Sequence, residues 1–254
     1  VALAQIDPTV GDIDGNAAKI AEWIGRAESE GAELTLFPEL CLPGYPAEDL
    51  YLKRHFVEAN RRAIEELAQG VGNTVALVGF AEPVAGGGDF RHAHNSLAVL
   101  ANGAVQAVYR KNRLPNYSVF DEQRYFRSAE KQDLLHLGAN AVALTICEDA
   151  WNDKNFWDNR LYERDPVDEL AKQGARVLIS INASPYNRGK RELRRQIFAN
   201  TARRHGIPVV YVNQVGGNDQ LVCDGSSFAM DPSGKVIAQA ASFSEDLVIS
   251  DINT

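Results

Sequence analysis

"LTICEDAWN", residues 144–152, runs an apolar, β-branched stretch straight into a cysteine, two acids and a tryptophan. Apolar residues on consecutive positions, rather than alternate ones, describe a strand buried on both faces. "LTLFP" (34–38), "VLISIN" (177–182) and "VVYVN" (209–213) have the same character. Around these runs the sequence predicts strands over 1–6, 33–38, 74–80, 95–100, 104–110, 141–147, 176–182, 209–215, 227–231 and 247–252. Helical periodicity covers 16–29, 49–69, 166–173 and 190–205. Gly31 and Gly174 stand where a helix would end on a left-handed residue. "ANGA" (101–104) reads as a hairpin turn, since Asn-Gly accepts positive φ at both central positions, and "DPSGK" (231–235) reads as a second turn. Strands that outnumber helices, with hairpins among them, do not suit a purely parallel doubly wound sheet. Two mixed sheets packed together with helices outside suit the pattern. The reading is therefore one α/β domain over 1–254, with no Pro- or Ser-rich linker.

Composition narrows the function classes. The chain has 254 residues, 45% apolar and 24% charged, with a net charge of -8. That acidity argues against nucleic acid or an anionic membrane as the main partner. No apolar run reaches the ~18 residues of a membrane span. Cys41, Cys147 and Cys223 are far apart and odd in number, which suits reduced thiols in a cytoplasmic setting and offers no zinc knuckle. The chain opens on the strand-like "VALAQIDP" with no signal-peptide pattern, and the missing Met and the end at "ISDINT" fit a fragment of something larger. "GGGD" (86–89) lacks the spacing of a phosphate cradle and reads as a loop.

Three segments carry chemistry. Cys147 alone fits a buried core thiol as well as a nucleophile. Its place at a strand end and the acids Glu148 and Asp149 beside it favour reactivity, because unpartnered acids are costly to bury. Cys41 and Cys223 have no such neighbours. A thiol nucleophile needs a base and an oxyanion stabiliser. His55, His92, His94, His136 and His205 sit in polar, helical or loop contexts, none of them persuasive for a base. Glu39 follows the run 34–38 in a turn bounded by Pro38 and Pro43, where a carboxylate against apolar walls suits a general base. Lys111 ends a hairpin strand ahead of an aromatic-rich loop with Tyr117, Phe120, Glu122, Tyr125 and Phe126. Alone it would be a solvated strand end. Three strand ends delivering a Glu, a Lys and a Cys change that reading.

These residues resemble, in order and approximate spacing, the Glu-Lys-Cys triad of the nitrilase superfamily, through "FPEL" (37–40), "YRKNRLPNY" (109–117) and "ICEDAW" (146–151). Finer motifs are similar to one branch, the glutaminase domain of glutamine-dependent NAD+ synthetases. They are "LPGYPAEDL" (42–50), "LPNYSVFDEQRYF" (114–126), "NASPYNRGKRELR" (182–194) and "VNQVGGNDQLVCDGSSF" (212–228). The resemblance implies an α-β-β-α sandwich. It implies that Cys147 attacks the glutamine amide, Glu39 handles protons, and Lys111, with the Glu148 backbone N–H, stabilises the oxyanion. Glu122 would orient Lys111, while Tyr117, Phe120, Ser184 and Lys190 would bind glutamine, with Tyr45 and Glu148 lining the pocket. No cofactor or metal is implied for this step. ATP and Mg2+ belong to a C-terminal synthetase domain whose SGGxDS loop is absent here, so the ammonia acceptor would lie in the same or another polypeptide, in a homo-oligomer. A stand-alone amidase or N-carbamoylase of the superfamily, and an inactive oligomer-forming module, remain as alternatives. The basic stretch 188–205 is read as a solvated or subunit-facing helix.

Overall fold

Two crossover units of one plan build the sheets. The computed structural model describes residues 1–84, 93–153, 156 and 162–254. The first unit runs β1 (Ala2–Gln5), α1 (Ile13–Ser29), β2 (Leu34–Leu36), α2 (Arg54–Gln69), β3 (Val75–Pro83), β4 (Ala93–Ala101) and β5 (Ala104–Arg110). A short α3 (Glu122–Tyr125) and β6 (Leu135–Leu137) lead into the second unit. That unit runs β7 (Asn140–Ile146), a 3-10 turn (Cys147–Ala150), α4 (Pro166–Lys172), β8 (Val177–Asn182), α5 (Lys190–His205) and β9 (Val209–Asn213). The ribbon β10 (Val215–Asn218) and β11 (Leu221–Asp224) follows, then β12 (Phe228–Met230), β13 (Val236–Gln239) and β14 (Asp246–Ile249).

Among the described residues twelve strands form two six-stranded sheets, ordered β14-β1-β2-β3-β4-β5 and β13-β12-β9-β8-β7-β6, and β10 pairs with β11 apart from them. Each has three parallel neighbours, β1-β2-β3 and β7-β8-β9, and antiparallel strands outside them. Leu3, Leu77 and Leu97 of one sheet meet Leu144, Ile179 and Val210 of the other, while α1 and α2 cover one outer face and α4 and α5 the other. The expected mixed-sheet sandwich is the fold observed. Burying the central strands on both faces is what makes their sequences apolar at successive positions. β5 is an edge strand, and its exposure alternates residue by residue. Among the described residues no helix is long and apolar enough to cross a membrane.

Local signals placed most boundaries. Asn102 and Gly103 both take positive φ in the β4-β5 turn, and Gly31 and Gly174 do so after their helices. The departures have physical causes. The helix expected over 49–69 is a 3-10 turn (Glu48–Leu52) and α2, separated at Lys53, whose backbone is extended. The helix expected from residue 16 starts at Ile13, because Asp12 caps it by accepting from Gly15 N at 3.0 Å. The strand expected over 209–215 divides at Gln214, whose N–H bonds to Asn182 O while Val215 N bonds across to Ile6 O. The short strands β6, β10, β11 and β13 were not expected; three or four residues leave little periodicity to read. The "GGGD" loop lies outside the described residues.

Candidate active site

Glu39 is positioned by a backbone that turns sharply after β2. Leu40 takes φ +46°, and the turn rests directly on Gly79 of β3. A Cβ at Gly79 would come within 2.4 Å of both Pro38 O and Leu40 N, so only glycine allows the approach. The buried Glu39 carboxylate accepts from Lys111 Nζ at 2.7 Å and Asn95 Nδ2 at 2.7 Å on Oε1, and from Ala183 N at 2.9 Å on Oε2.

Lys111 leaves the end of β5, held by its own N–H on Asn95 O at 2.9 Å. Its ammonium, 1% exposed, also reaches Glu122 Oε1 and Oε2 at 2.9 and 2.8 Å. Burial works against that charge, but Glu122 and Glu39 outweigh it and hold the ammonium pKa above its ordinary value. Burial raises Glu122 to about 7, Glu39 pushing the same way and Lys111 opposing. One cation thus sits between two buried carboxylates. Tyr45, expected to line the pocket, donates to Glu122 Oε1 at 3.0 Å from behind the cluster and faces a smaller neighbouring cavity.

Cys147 begins the 3-10 turn after β7 with φ +45°, a strained conformation for a residue with a Cβ. Asp149 holds the turn. Its Oδ2 accepts from Ile146 N and Gln132 Nε2, both at 3.2 Å, and its Oδ1 accepts from Asn112 N at 3.0 Å and Arg113 N at 2.8 Å. The segment after Lys111 is thereby tied to the turn that carries Cys147. Burial and the Glu39 carboxylate push the Cys147 thiol up, against the pull of Lys111. At neutral pH the group is a thiol, so a nucleophilic role requires a base.

Cys147 opens on a cavity of about 260 Å³ that Tyr117, Phe120, Glu148, Trp151, Ser184 and Lys190 also line. Glu148 accepts from the Tyr117 hydroxyl at 3.0 and 2.9 Å and from the Tyr162 hydroxyl at 3.1 Å. The Lys190 ammonium lies 5.3 Å from the Trp151 ring centroid, and burial lowers its pKa. Fixed negative and positive groups therefore face one cavity beside the thiol. A larger hollow, about 340 Å³, lies away from this chemistry between α1 and α2.

The family model described as "Carbon-nitrogen hydrolase" matches residues 1–254. The chain belongs to the carbon–nitrogen hydrolase family. Among its relatives, the glutamine-dependent NAD(+) synthetase of Synechocystis is 41% identical, covering 98% of this chain and 45% of that protein. The synthetase of the same name from Thermotoga maritima is 39% identical over 100% of this chain and 42% of its own length. The solved glutamine-dependent NAD+ synthetase of Acinetobacter baumannii superposes with a TM-score of 0.87 at 37% identity, over 97% of this chain and 44% of that one. An amidase from Nesterenkonia superposes with a TM-score of 0.81 over 99% of this chain and 92% of that one; at 22% identity it shows the shared fold. The chain spans less than half the length of these synthetase relatives.

Sequence reasoning missed several groups of this carbon–nitrogen hydrolase. Asn95, on β4, donates to Glu39, and its Oδ1 is buried with no hydrogen-bond partner among the described residues. Asp149, Tyr162 and Gly79 act through contacts that cross the chain. Arg188, Arg191 and Arg203 are exposed, but the reading of 188–205 as a solvated or subunit-facing helix needs correction at Arg194 and Arg204. Arg194, 1% exposed, pairs with Asp224 at 2.6 Å, and Arg204 pairs with Asp153 and Asp168 at 3.0 and 2.6 Å. Their charge is used inside the fold. The nearest available signal was the acid at 224 in "VCDGSS", which gave no register to α5. Cys41 and Cys223 are buried, and burial pushes both thiols up to about 12.

Proposed function

We propose that this chain hydrolyses the side-chain amide of glutamine through a Cys147 thioester and releases ammonia for a separate NAD+-forming domain. The observation that carries the reading is the contact of Lys111 with Glu39 at 2.7 Å beside a cavity that Cys147 opens on. Glu39 takes the Cys147 proton as the sulfur bonds to the amide carbon, which avoids building up free thiolate on a group whose pKa is raised. The carbonyl electron pair moves to oxygen, where the Lys111 ammonium and the Glu148 backbone N–H stabilise it. Collapse breaks the C–N bond, and the proton held by Glu39 leaves with the nitrogen as ammonia. Water then gives a proton to Glu39 and its oxygen to the acyl carbon; the C–S bond breaks, the proton returns to sulfur, and glutamate departs.

Glu148 and Lys190 are the groups that would hold the α-ammonium and α-carboxylate of free glutamine, with Tyr117, Phe120 and Ser184 completing the wall. The relatives' names support glutamine as the substrate over another small amide, and their greater length supports an ammonia-using domain beyond this hydrolase domain. ATP and Mg2+ would serve that domain alone. Cys147→Ala abolishes ammonia release from glutamine while circular dichroism and melting temperature stay near wild type. Substantial release by the variant, or wild-type preference for simple aliphatic amides over glutamine, would overturn the assignment.

A further inference from the structure

The basic helix carries a fully buried charge that the chemistry above does not use. Arg194 is among the largest fully buried side chains of the chain and points from α5 into the segment that follows β8. Its guanidinium makes four hydrogen bonds. Nη1 donates to Asp224 Oδ1 at 2.6 Å, Nη2 to Ser184 O at 2.8 Å and Pro185 O at 2.9 Å, and Nε to Ser184 Oγ at 3.3 Å. Ser226 Oγ steadies the other Asp224 oxygen at 2.9 Å.

Stability alone is a poor reason for such a group, since an apolar side chain of similar volume commonly replaces a buried ion pair without loss. What the bonds hold is more telling. Three of the four end on Ser184 and Pro185. The residue before them, Ala183, gives its N–H to Glu39 Oε2 at 2.9 Å, and Ser184 itself lines the Cys147 cavity. Asn213 grips the same segment, accepting from Ser184 N at 2.8 Å and donating to Ser184 O at 3.2 Å. A planar fork with five donors reaches acceptors in several directions at once, which a lysine ammonium at the same place cannot match.

We propose that Arg194 is a positioning residue for the reaction, turning the 183–185 segment so that Ala183 N–H meets Glu39 and Ser184 faces the substrate. This rests on the glutaminase reading for its kinetic test, though not for its thiol test. Arg194→Lys keeps a cation for Asp224 and loses the fork. The variant is expected to raise the KM for glutamine about tenfold and lower kcat. The acid limb of kcat/KM moves to higher pH, because a carboxylate that loses a donor holds its proton more tightly. Cys147 alkylation by iodoacetamide, followed against pH, shifts in the same direction and does not depend on which amide is the substrate. Asp224→Asn, which keeps an acceptor for the guanidinium and removes its counter-charge, moves the same quantities by about threefold. If both variants show only a lower melting temperature, with KM and both pH profiles unchanged, Arg194 is structural and the inference fails. A wild-type chain with no Cys147-dependent ammonia release would refute the glutaminase reading, leaving the alkylation shift to decide the role of Arg194.

Discussion

Removing the cation at Lys111 tests the arrangement most directly. In Lys111→Met the ammonium that touches Glu39 at 2.7 Å and Glu122 at 2.8 Å is replaced by a side chain of similar reach without charge. Two buried carboxylates, 1% and 3% exposed, then face each other with no counter-ion. Breaking a buried ion pair from one side costs about 3–5 kcal/mol. For a chain of this size that corresponds to a fall in Tm of about 6–20 °C. The deficit must depend on pH in one direction. Glu122 is already raised to about 7 in the folded protein, so it keeps a proton that the unfolded chain has released above its ordinary value of 4.5. A raised acid contributes stability below its unfolded pKa and loses it as pH rises through the folded one. Without Lys111 both burial and mutual repulsion act upward, and every further tenfold weakening of these acids corresponds to about 1.4 kcal/mol. The variant is therefore least stable at about pH 8 and recovers at about pH 5, where Glu122 is neutral. Calorimetric or fluorescence melting at the two pH values gives the measurement. On the proposed mechanism the oxyanion loses a donor, and glutamine hydrolysis falls at least about a hundredfold. A Tm deficit equal at both pH values, or turnover close to wild type, would refute the reasoning.

Two smaller perturbations probe the supports. Gly79→Ala forces a Cβ against Pro38 O and Leu40 N, 2.4 Å away, so it should shift the Glu39 turn, cost about 2–3 kcal/mol by overpacking and cut turnover far more than it lowers Tm; an active, stable variant would show that the turn tolerates displacement. Tyr45→Phe deletes the hydroxyl that donates to Glu122 at 3.0 Å. A carboxylate that loses a donor titrates higher, so the acid limb of the pH–rate profile moves alkaline by less than about 1 in pH while the KM for glutamine holds; an acid shift of that limb would remove Glu122 from the proton inventory.

Much of this protein was legible along the chain. Consecutive apolar positions in 34–38, 144–147, 177–182 and 209–213 marked strands with two covered faces, and Asn102-Gly103 marked the hairpin, because strand period and turn conformation are set by neighbouring residues. The ordered Glu39, Lys111 and Cys147 motifs pointed to the family. Their contacts were another matter. Lys111 meets Glu39 across 72 positions, and Ala183 meets it across 144. No local periodicity encodes such partners. That is why Arg194 read as part of a solvated or subunit-facing helix and Tyr45 as a pocket wall, and why Gly79 drew no reading. Sequence determined which side chains were available at the strand ends; the packing of two sheets and the register of α5 decided which of them touch, since burial and hydrogen-bond geometry exist only once distant segments share the same space.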